Sequence, residues 1–262
     1  MITLFVVGTL FYLFSYRYFW TVESSESDNG PGYELVSHRG VTNNSPENTI
    51  EAYLAAVSAG FKWIELDVVT TQDRAVVCSH NFDLERETDL YGYIHTSSIN
   101  MIRNAYMGVN AKSSGSYRVP ELINVLNTIP VDVGINIEIK TSWLFDLTTA
   151  RAICEIKKHI ERRPFIISSF NPVALAYIHI FFRAAPTGFL LESIKYLWIV
   201  NWLHPTYLHP RADMIIPSLV NMCKNRNLKI LTWTVNNMCA IKWCLKSGVV
   251  GIISDRGSAH LR

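Results

Sequence analysis

The stretch that decides the fold is residues 37–67, SHRGVTNNSPENTIEAYLAAVSAGFKWIELD. It reads as a strand that ends in His38-Arg39-Gly40, a loop, a helix, and a second strand that carries Glu65 and Asp67. A strand, a helix and a strand in succession form the repeating unit of parallel α/β folds. The stretch therefore predicts one such unit that bears a histidine, an arginine and two carboxylates.

The helix of this unit is expected to begin near Asn48 and to run to about Ala59. Asn48 is followed three residues later by Glu51, which fits a capping box, in which two side chains satisfy free backbone N–H groups. Gly60 stands where a glycine commonly ends a helix. The capping signals thus place the helix between the two strands.

Strands and helices continue to alternate along most of the chain. The predicted strands are residues 33–38, 61–69, 75–80, 134–140, 165–169, 188–191, 214–216, 229–234 and 251–254. This alternation predicts an α/β fold, and the length of about 230 residues after the linker suits a barrel. We therefore predict an irregular (β/α)8 TIM barrel. The surplus strand is expected in the hairpin at 63–80, where only a turn fits between two strands. A doubly wound open sheet is the alternative, although no G-x-G-x-x-G follows an early strand.

The composition excludes several classes of protein. The chain has 262 residues, 49% of them hydrophobic, which is enough for a large core and argues against disorder. Its net charge is +2, from 24 basic and 22 acidic residues, so it offers no electrostatic reason to bind nucleic acid. Five cysteines without CxxC spacing argue against a disulfide framework or a structural zinc site.

Residues 1–22 differ from the rest, because the run from Ile2 to Phe14 is nearly all apolar. Spanning a bilayer takes about 20 apolar residues, and the aromatic residues and Arg17 that follow are typical of a membrane interface. We predict an uncleaved single-pass membrane anchor at 1–22, a polar linker at 23–32 and a folded domain at 33–262. A helix or strand of the domain is the alternative for the first segment, and the side of the membrane is not indicated.

Two strands carry pairs of charged residues. Glu65 and Asp67 are two residues apart, so their side chains point the same way, and Glu138 and Lys140 repeat this spacing. An unpaired buried carboxylate is costly, and a divalent cation relieves that cost. Carboxylate oxygens without cysteine suit a hard ion, Mg²⁺ or Ca²⁺. A strand-end salt bridge is the alternative for each pair, but both pairs together at strand ends favour a site.

Two histidines and an arginine stand close to these strands in the sequence. His38 and His80 each end a strand. One such histidine is more often structural, but two beside a carboxylate cluster fit a general base and a general acid near neutral pH. Arg39 is a fixed cation that can hold a phosphate through two donors.

The chain resembles the glycerophosphodiester phosphodiesterases over about residues 33–257. The matching motifs, in order, are His38-Arg39-Gly40, Pro46-Glu47-Asn48-Thr49, Glu65-x-Asp67, His80, Glu138-Ile139-Lys140, Ser168-Ser169-Phe170-Asn171, Trp233-Thr234-Val235-Asn236 and Gly251-Ile252-Ile253-Ser254-Asp255. No single motif decides the match, but their order and spacing make the set specific. The resemblance implies an irregular TIM barrel that uses a divalent metal, and it makes residues 33–262 the catalytic domain.

The resemblance also implies roles for particular side chains. By match, the metal ligands are Glu65, Asp67 and Glu138, the acid/base pair is His38 and His80, the phosphate-binding residues are Arg39 and Lys140, and the pocket-lining residue is Trp233. The implied reaction is hydrolysis of a glycerophosphodiester to sn-glycerol 3-phosphate and an alcohol. In this reaction the glycerol 2-hydroxyl attacks first, and water then opens a cyclic phosphate. Which histidine is the acid is not indicated.

The chain departs from the family pattern in two nearby places. The family usually has His-Asp where this chain has His80-Asn81, and its Arg-Thr-Thr pattern appears only approximately, as Arg86-Glu87-Thr88. The loss of the aspartate is expected to tune His80 rather than to abolish catalysis. The loop at 83–118, which shapes the substrate site, is where the match is weakest.

Two other functions remain open. One is a lysophospholipase D-type enzyme that acts on lysolipids. It would be favoured if the aromatic residues of the apolar stretch at 174–208 rest on a bilayer, as opposed to being packed in the barrel: Tyr196, Trp198, Trp202 and Tyr207. The other is a catalytically inactive, membrane-tethered binding module, against which the complete set of candidate catalytic residues argues. The expected partners are a glycerophosphodiester or lysophospholipid substrate and a membrane, through residues 1–22.

Overall fold

A computed structural model describes residues 2–23, 34–108 and 117–255. Most of the predicted linker at 23–32 lies outside these residues. The strands are β1 Glu34–His38, β2 Trp63–Thr70, β3 Val76–Cys78, β4 Tyr106–Met107, β5 Tyr117–Arg118, β6 Gly134–Ile139, β7 Phe165–Ser169, β8 Thr187–Leu191, β9 Tyr207–Pro210, β10 Lys229–Thr232 and β11 Gly251–Ser254. The helices are α1 Ile2–Tyr18, α2 Ile50–Ser58, α3 Ile99–Ile102, α4 Leu122–Thr128, α5 Thr148–Glu155, α6 Lys157–Ile160, α7 Pro172–Phe181, α8 Val200–Leu203, α9 Pro217–Asn225 and α10 Met238–Lys246. Short 3₁₀ helices occupy Ile94–Thr96, Ile194–Ile199 and Ala212–Met214.

Eight parallel strands close into a barrel. Their order is β1-β2-β6-β7-β8-β9-β10-β11, and β11 pairs back with β1. The predicted irregular (β/α)8 TIM barrel is confirmed, and the open-sheet alternative is wrong. The register pairs His38 with Glu65 and Asp67 with Glu138. Because parallel strands end at the same rim, these residues meet at the carboxyl ends of the strands, where TIM barrels carry their sites.

The surplus strand is β3, as the sequence predicts. It pairs antiparallel with the end of β2, so it extends the sheet outside the closed barrel. The chain then makes a long excursion that contains the small antiparallel pair β4 and β5. Its described apolar side chains pack with Val69 and Val77 of the β2–β3 hairpin in a second cluster, which includes Leu84, Ile94 and Met107. The described part of the excursion is therefore a packed lobe beside the carboxyl end of β2.

The His-Arg-Gly turn and the start of α2 depend on unusual backbone conformations. Gly40 has φ +91°, and a Cβ there would lie 2.6 Å from the Cβ of Ala52, so this position requires glycine. Thr49 is the N-cap of α2, since its hydroxyl accepts the backbone N–H of Ala52. The capping box predicted from Asn48 is wrong, because Asn48 has φ +56° and its amide group contacts β2 instead.

Two predicted elements differ in the structure. The predicted strand at 214–216 is wrong, because β9 lies at Tyr207–Pro210 and the later residues follow a 3₁₀ helix. Tyr207 is fully buried in β9, so it is not available to a bilayer. The predicted helix at 146–161 is divided at Ile156 into α5 and α6.

The end of α1 is fastened to the barrel. The Tyr16 hydroxyl donates to the carbonyl of Trp202, and the Trp20 ring stacks on His204 with centroids 4.4 Å apart. The Val22 N–H donates to the carbonyl of Arg226. His204 and Arg226 precede β9 and β10, so these contacts lie at the amino ends of the strands. Within the described ranges, no helix combines the length and apolar character needed to cross a membrane, and the predicted anchor at 1–22 is not supported by the fold.

Candidate active site

Three buried carboxylates meet at the rim of the barrel. Glu65, Asp67 and Glu138 each offer an oxygen, and these oxygens lie within 4.8 Å of one another. Burial raises the pKa of Glu65 to about 8, with the charge of Asp67 adding to the effect, and the same two causes raise the pKa of Glu138. Asp67 Oδ1 is buried and lies 3.3 Å from Lys140 Nζ, but this contact lacks the geometry of a hydrogen bond. This donor set, all oxygen and partly unsatisfied, fits a hard divalent cation.

Two cations lie against the same carboxylates. Arg39 Nε lies 2.8 Å from Asp67 Oδ2, and an Arg39 terminal nitrogen donates to Glu47 at 2.8 Å. Lys140 Nζ lies 2.8 Å from Glu138 Oε1 and 3.3 Å from Asp67 Oδ1. Burial opposes ionisation of Asp67, but Lys140 and Arg39 outweigh it and lower the Asp67 pKa. The strand-end salt bridge of Glu138 with Lys140 is therefore real, and it forms part of the cluster.

The predicted histidines flank this cluster in different surroundings. His38 Nδ1 lies 2.6 Å from Asp255 Oδ1, and His38 Nε2 lies 4.0 Å from Glu65 Oε2. Burial opposes protonation of His38, but the bond to Asp255 and the charge of Glu65 outweigh it and raise the His38 pKa. Burial and the charges of Lys140 and Arg39 lower the pKa of His80.

One cavity of about 160 Å³ connects these groups. Its lining residues are His38, Arg39, Glu65, His80, Glu138, Lys140, Phe170, Leu190, Trp233, Thr234 and Ile253. Seven of the eight predicted site residues are among them, and Asp67 lies behind Arg39 and Lys140. Trp233 is fixed by a 2.7 Å hydrogen bond from its Nε1 to the His209 carbonyl, and it meets Phe170 edge to face. The structure thus brings all eight residues to one site.

Comparison with known proteins identifies the kind of protein that carries this site. The sequence model of the Glycerophosphoryl diester phosphodiesterase family matches residues 38–258. The chain belongs to this family. It is therefore a phosphodiesterase, and the motif resemblance is confirmed.

Relatives of the glycerophosphoryl diester phosphodiesterase family agree in sequence and in fold. A glycerophosphodiester phosphodiesterase of Caldanaerobacter subterraneus subsp. tengcongensis is 32% identical over 226 residues, which cover 84% of this chain and 93% of the relative. A phosphodiesterase of Oleispira antarctica, solved with the product sn-glycerol-3-phosphate, has a TM-score of 0.79 at 25% identity and covers 86% of this chain and 94% of that chain. The enzyme of Thermotoga maritima has a TM-score of 0.71 at 25% identity, covering 87% and 96%.

Two further residues of this phosphodiesterase contact the predicted site residues, and neither of them was assigned a role in the site from the sequence. Asp255, in the last matched motif, holds His38, and Asn236 Nδ2 donates to its other oxygen at 2.6 Å. Asn48 donates to Asp67 Oδ2 at 3.1 Å and accepts the Asp67 backbone N–H at 3.2 Å. The sequence signal that could have pointed to Asn48 is its place in the matched motif Pro46-Glu47-Asn48-Thr49, whereas its burial and left-handed backbone are seen only in the structure.

Proposed function

We propose that the chain hydrolyses glycerophosphodiesters to sn-glycerol 3-phosphate and an alcohol, with a bound divalent metal. One observation carries the proposal: three buried carboxylates, two histidines and two cations converge on a single cavity at the carboxyl rim of a TIM barrel. A mixed cluster of this kind suits an anionic substrate whose charge rises during the reaction. The product bound in the Oleispira antarctica relative supports the choice of a glycerol phosphate group.

The metal would be held by Glu65, Asp67 and Glu138. When bound there, a divalent ion would supply Lewis-acid polarisation of a phosphoryl oxygen. The oxygen donors favour Mg²⁺ or Ca²⁺ over Zn²⁺. Because burial raises the pKa of Glu65 to about 8, the carboxylates release protons when a cation binds.

Arg39 and Lys140 would bind the phosphodiester oxygens. Both line the cavity, and both already contact Asp67, which fixes the positions of their charged groups. Each also retains N–H donors beyond those used in these ion pairs. Their charges would neutralise the diester and its developing negative charge, and Trp233 would form the adjoining wall.

The histidines would move the protons. We assign His38 as the general acid, because Asp255 holds its Nδ1 side and favours the protonated ring, while Nε2 faces Glu65 in the cavity. We assign His80 as the general base, because burial, Lys140 and Arg39 lower its pKa and keep the ring neutral. His80 would take the proton of the glycerol 2-hydroxyl as its oxygen bonds to phosphorus, and His38 would protonate the departing alcohol, which leaves a cyclic phosphate. Water would then open the ring: His38 would take a proton from the water, and His80 would return its proton to the 2-oxygen, which gives sn-glycerol 3-phosphate.

Alanine variants test these assignments. His38→Ala, His80→Ala and Glu65→Ala should each lower kcat on glycerophosphocholine by about 10²–10⁴-fold. The exposed His95 gives a matched control, since His95→Ala changes the same residue type on the outer lobe. Near-normal turnover in any of the three site variants would overturn the role of that residue.

A specific surface favours lysophospholipids as a second substrate class. Trp143, Leu144 and Phe145 follow β6 at the cavity end of the barrel, and each is at least half exposed. Asn171 Nδ2 donates to the carbonyls of Trp143 and Leu144. Because Asn171 follows Phe170, which lines the cavity, these hydrogen bonds hold the loop beside the cavity wall. Three exposed apolar side chains at a site mouth suit an acyl chain.

Substrate comparison tests this second class. Trp143→Ser with Phe145→Ser should lower kcat/KM for lysophosphatidylcholine by about tenfold and leave that for glycerophosphocholine within about twofold. Trp243→Ser is the control, because Trp243 is half exposed on α10. Equal losses of kcat/KM on both substrates, or no loss on either, would overturn the proposal that lysophospholipids are a second substrate class.

We further propose that residues 1–22 contact lipid and make the protein membrane-associated. Phe5 is 75% and Phe11 71% exposed, and exposed apolar side chains lie on every side of α1 from Phe5 to Tyr18. Such a helix suits apolar surroundings and not water. Because Trp20 and Val22 hold it at the amino ends of the barrel strands, the cavity would open at the opposite end, away from the bilayer.

Vesicle flotation tests the lipid contact. The full chain should float with phosphatidylcholine vesicles, and a chain with Phe5→Ser, Leu10→Ser and Phe11→Ser should not. Val131→Ser serves as a control at an exposed apolar site of the barrel. Equal flotation of the triple variant and the unchanged chain would remove this proposal.

A further inference from the structure

The two acid/base histidines are held in different ways. Asp255 fixes His38 through a 2.6 Å contact. The described residues provide no hydrogen bond to the His80 ring. Instead, carboxylate oxygens of Glu47 and Glu87 and a ring nitrogen of His80 all lie within 4.8 Å of one another. A carboxylate is thus close to the His80 ring without yet bonding it.

Glu87 is fastened to both neighbours of His80. Asn81 Nδ2 donates to Glu87 Oε1 at 2.6 Å, and Ser79 Oγ lies 3.4 Å from Glu87 Oε2. Ser79 Oγ also donates to the Asn81 carbonyl at 2.9 Å, so a hydrogen bond joins the two residues on either side of His80. The Glu87 carboxylate is therefore held by Ser79 and Asn81, the two residues that flank His80 in the chain.

Glu87 is better suited than Glu47 to serve His80. Glu47 is paired with Arg39 at 2.8 Å, and its side chain is 38% exposed. Within the described chain Glu87 has no such ion pair, and it is half-buried. Burial, together with the charge of Glu47, raises the pKa of Glu87 to about 7. A half-buried carboxylate without a cation gains most from a neighbouring ring N–H.

We propose that Glu87 is the positioning residue of His80, whose ring N–H it accepts in the substrate complex, so that the other ring nitrogen is free to take the substrate proton. This inference rests on the proposed phosphodiesterase reaction. Asn81 and Glu87 are also the two positions at which the chain departs from the family pattern, and they bond each other. The carboxylate that the family usually places next to the histidine is, in this chain, supplied from residue 87.

The side chains of Glu47, His80 and Glu87 also have the donor types of a metal site. The test must therefore separate a role of Glu87 in metal binding from a role in positioning His80. A metal role requires Glu87 to add a bound ion to the one expected at Glu65, Asp67 and Glu138. A positioning role requires only the charge of the carboxylate beside the ring. Metal content and proton-transfer kinetics therefore give different results for the same variant.

The experiment compares four variants of the full chain: Glu87→Gln, Asn81→Asp, the exchange Asn81→Asp with Glu87→Gln, and the control Glu85→Gln. Glu87→Gln keeps an acceptor for Asn81 but removes the charge, so kcat should fall about tenfold with KM within about twofold. The pH profile of kcat should also change near neutral pH, because Glu87, with a pKa of about 7, titrates there and a glutamine does not. Glu85 is exposed and bonds Gly92, so its variant should behave as the unchanged chain.

The exchange variant decides between positioning and packing. Asn81→Asp alone sets two carboxylates 2.6 Å apart and should lower kcat. The exchange restores one carboxylate and one amide and should recover most of the loss, a coupling that a double-mutant cycle measures. Thermal melting checks that all variants fold.

Three results would count against the inference. Unchanged kcat and pH profile in Glu87→Gln would overturn it while leaving the proposed function intact. A bound-metal count that falls by one in Glu87→Gln would assign the cluster to a metal. Absence of turnover by the unchanged chain would overturn the proposed function itself, and with it this inference.

Discussion

Replacing Asp255 by asparagine removes the charge that faces His38 but keeps the size of the side chain. One Asp255 oxygen lies 2.6 Å from His38 Nδ1, and the other accepts from Asn236 at 2.6 Å. An asparagine has only one oxygen for these two positions. Either Asn236 loses its acceptor, or the amide NH₂ faces His38 and forces the ring proton onto Nε2.

The magnitude follows from the geometry and the exposure. A hydrogen bond to a charged group contributes about 1.5–3 kcal/mol. Asp255 is 50% exposed, so solvent screening places it at the lower end, about 1.5–2 kcal/mol. That corresponds to a loss of about 10–30-fold in kcat. Because Asp255 helps to raise the His38 pKa, the variant should lose its protonated acid at lower pH.

The assay is the pH profile of kcat on glycerophosphocholine at saturating metal. Asp132→Asn is the matched control, because Asp132 is exposed in the turn before β6, at the opposite end of the strands. The high-pH limb of the profile should move to lower pH in Asp255→Asn and stay unchanged in the control. A variant with unchanged kcat and an unchanged high-pH limb would refute the role of His38 as an acid oriented by Asp255.

Two further predictions concern stability. Without divalent metal, the free energy of unfolding should fall as the pH rises from about 4.5 to about 8, because folded Glu65, with a pKa of about 8, binds more protons than unfolded Glu65, with its usual pKa of about 4.5. Urea denaturation in EDTA measures this, saturating Mg²⁺ should flatten it, and a rise with pH would contradict it. Arg163→Met should cost about 2–4 kcal/mol of stability, because the buried guanidinium donates to four carbonyls around the end of α4. Thermal and urea denaturation check this, and a loss below about 0.5 kcal/mol would show that those carbonyls find other donors.

The sequence predicts the barrel well where periodicity and capping agree. The alternation of strands and helices identified seven of the eight barrel strands, and the hairpin identified the surplus strand. The exception is β9, which has four residues, ends in Pro210 and contains the buried His209. The strand was predicted at Met214–Ile216 instead, because that segment is more apolar. Pairing with β8 and β10 makes β9 a strand, and local propensity does not report such pairing.

Some features of the site follow from the local sequence, and others depend on contacts between residues far apart in the chain. Two-residue spacing was sufficient to place Glu65 with Asp67 on one face. The contact between His38 and Asp255 spans 217 positions and arises only because β11 closes the barrel against β1. Asn48 shows the reverse case, since a local pattern suggested a helix cap while a left-handed backbone directs its amide to Asp67.

The proposed reaction of this site is cleavage of glycerophosphodiesters on the alcohol side with a divalent metal. The most direct measurement is the identity of the products formed from glycerophosphocholine by the full chain, in EDTA and after Mg²⁺ or Ca²⁺ is restored. We predict sn-glycerol 3-phosphate and choline, formed only when metal is present. Phosphocholine and glycerol as products, or equal turnover in EDTA, would contradict the account.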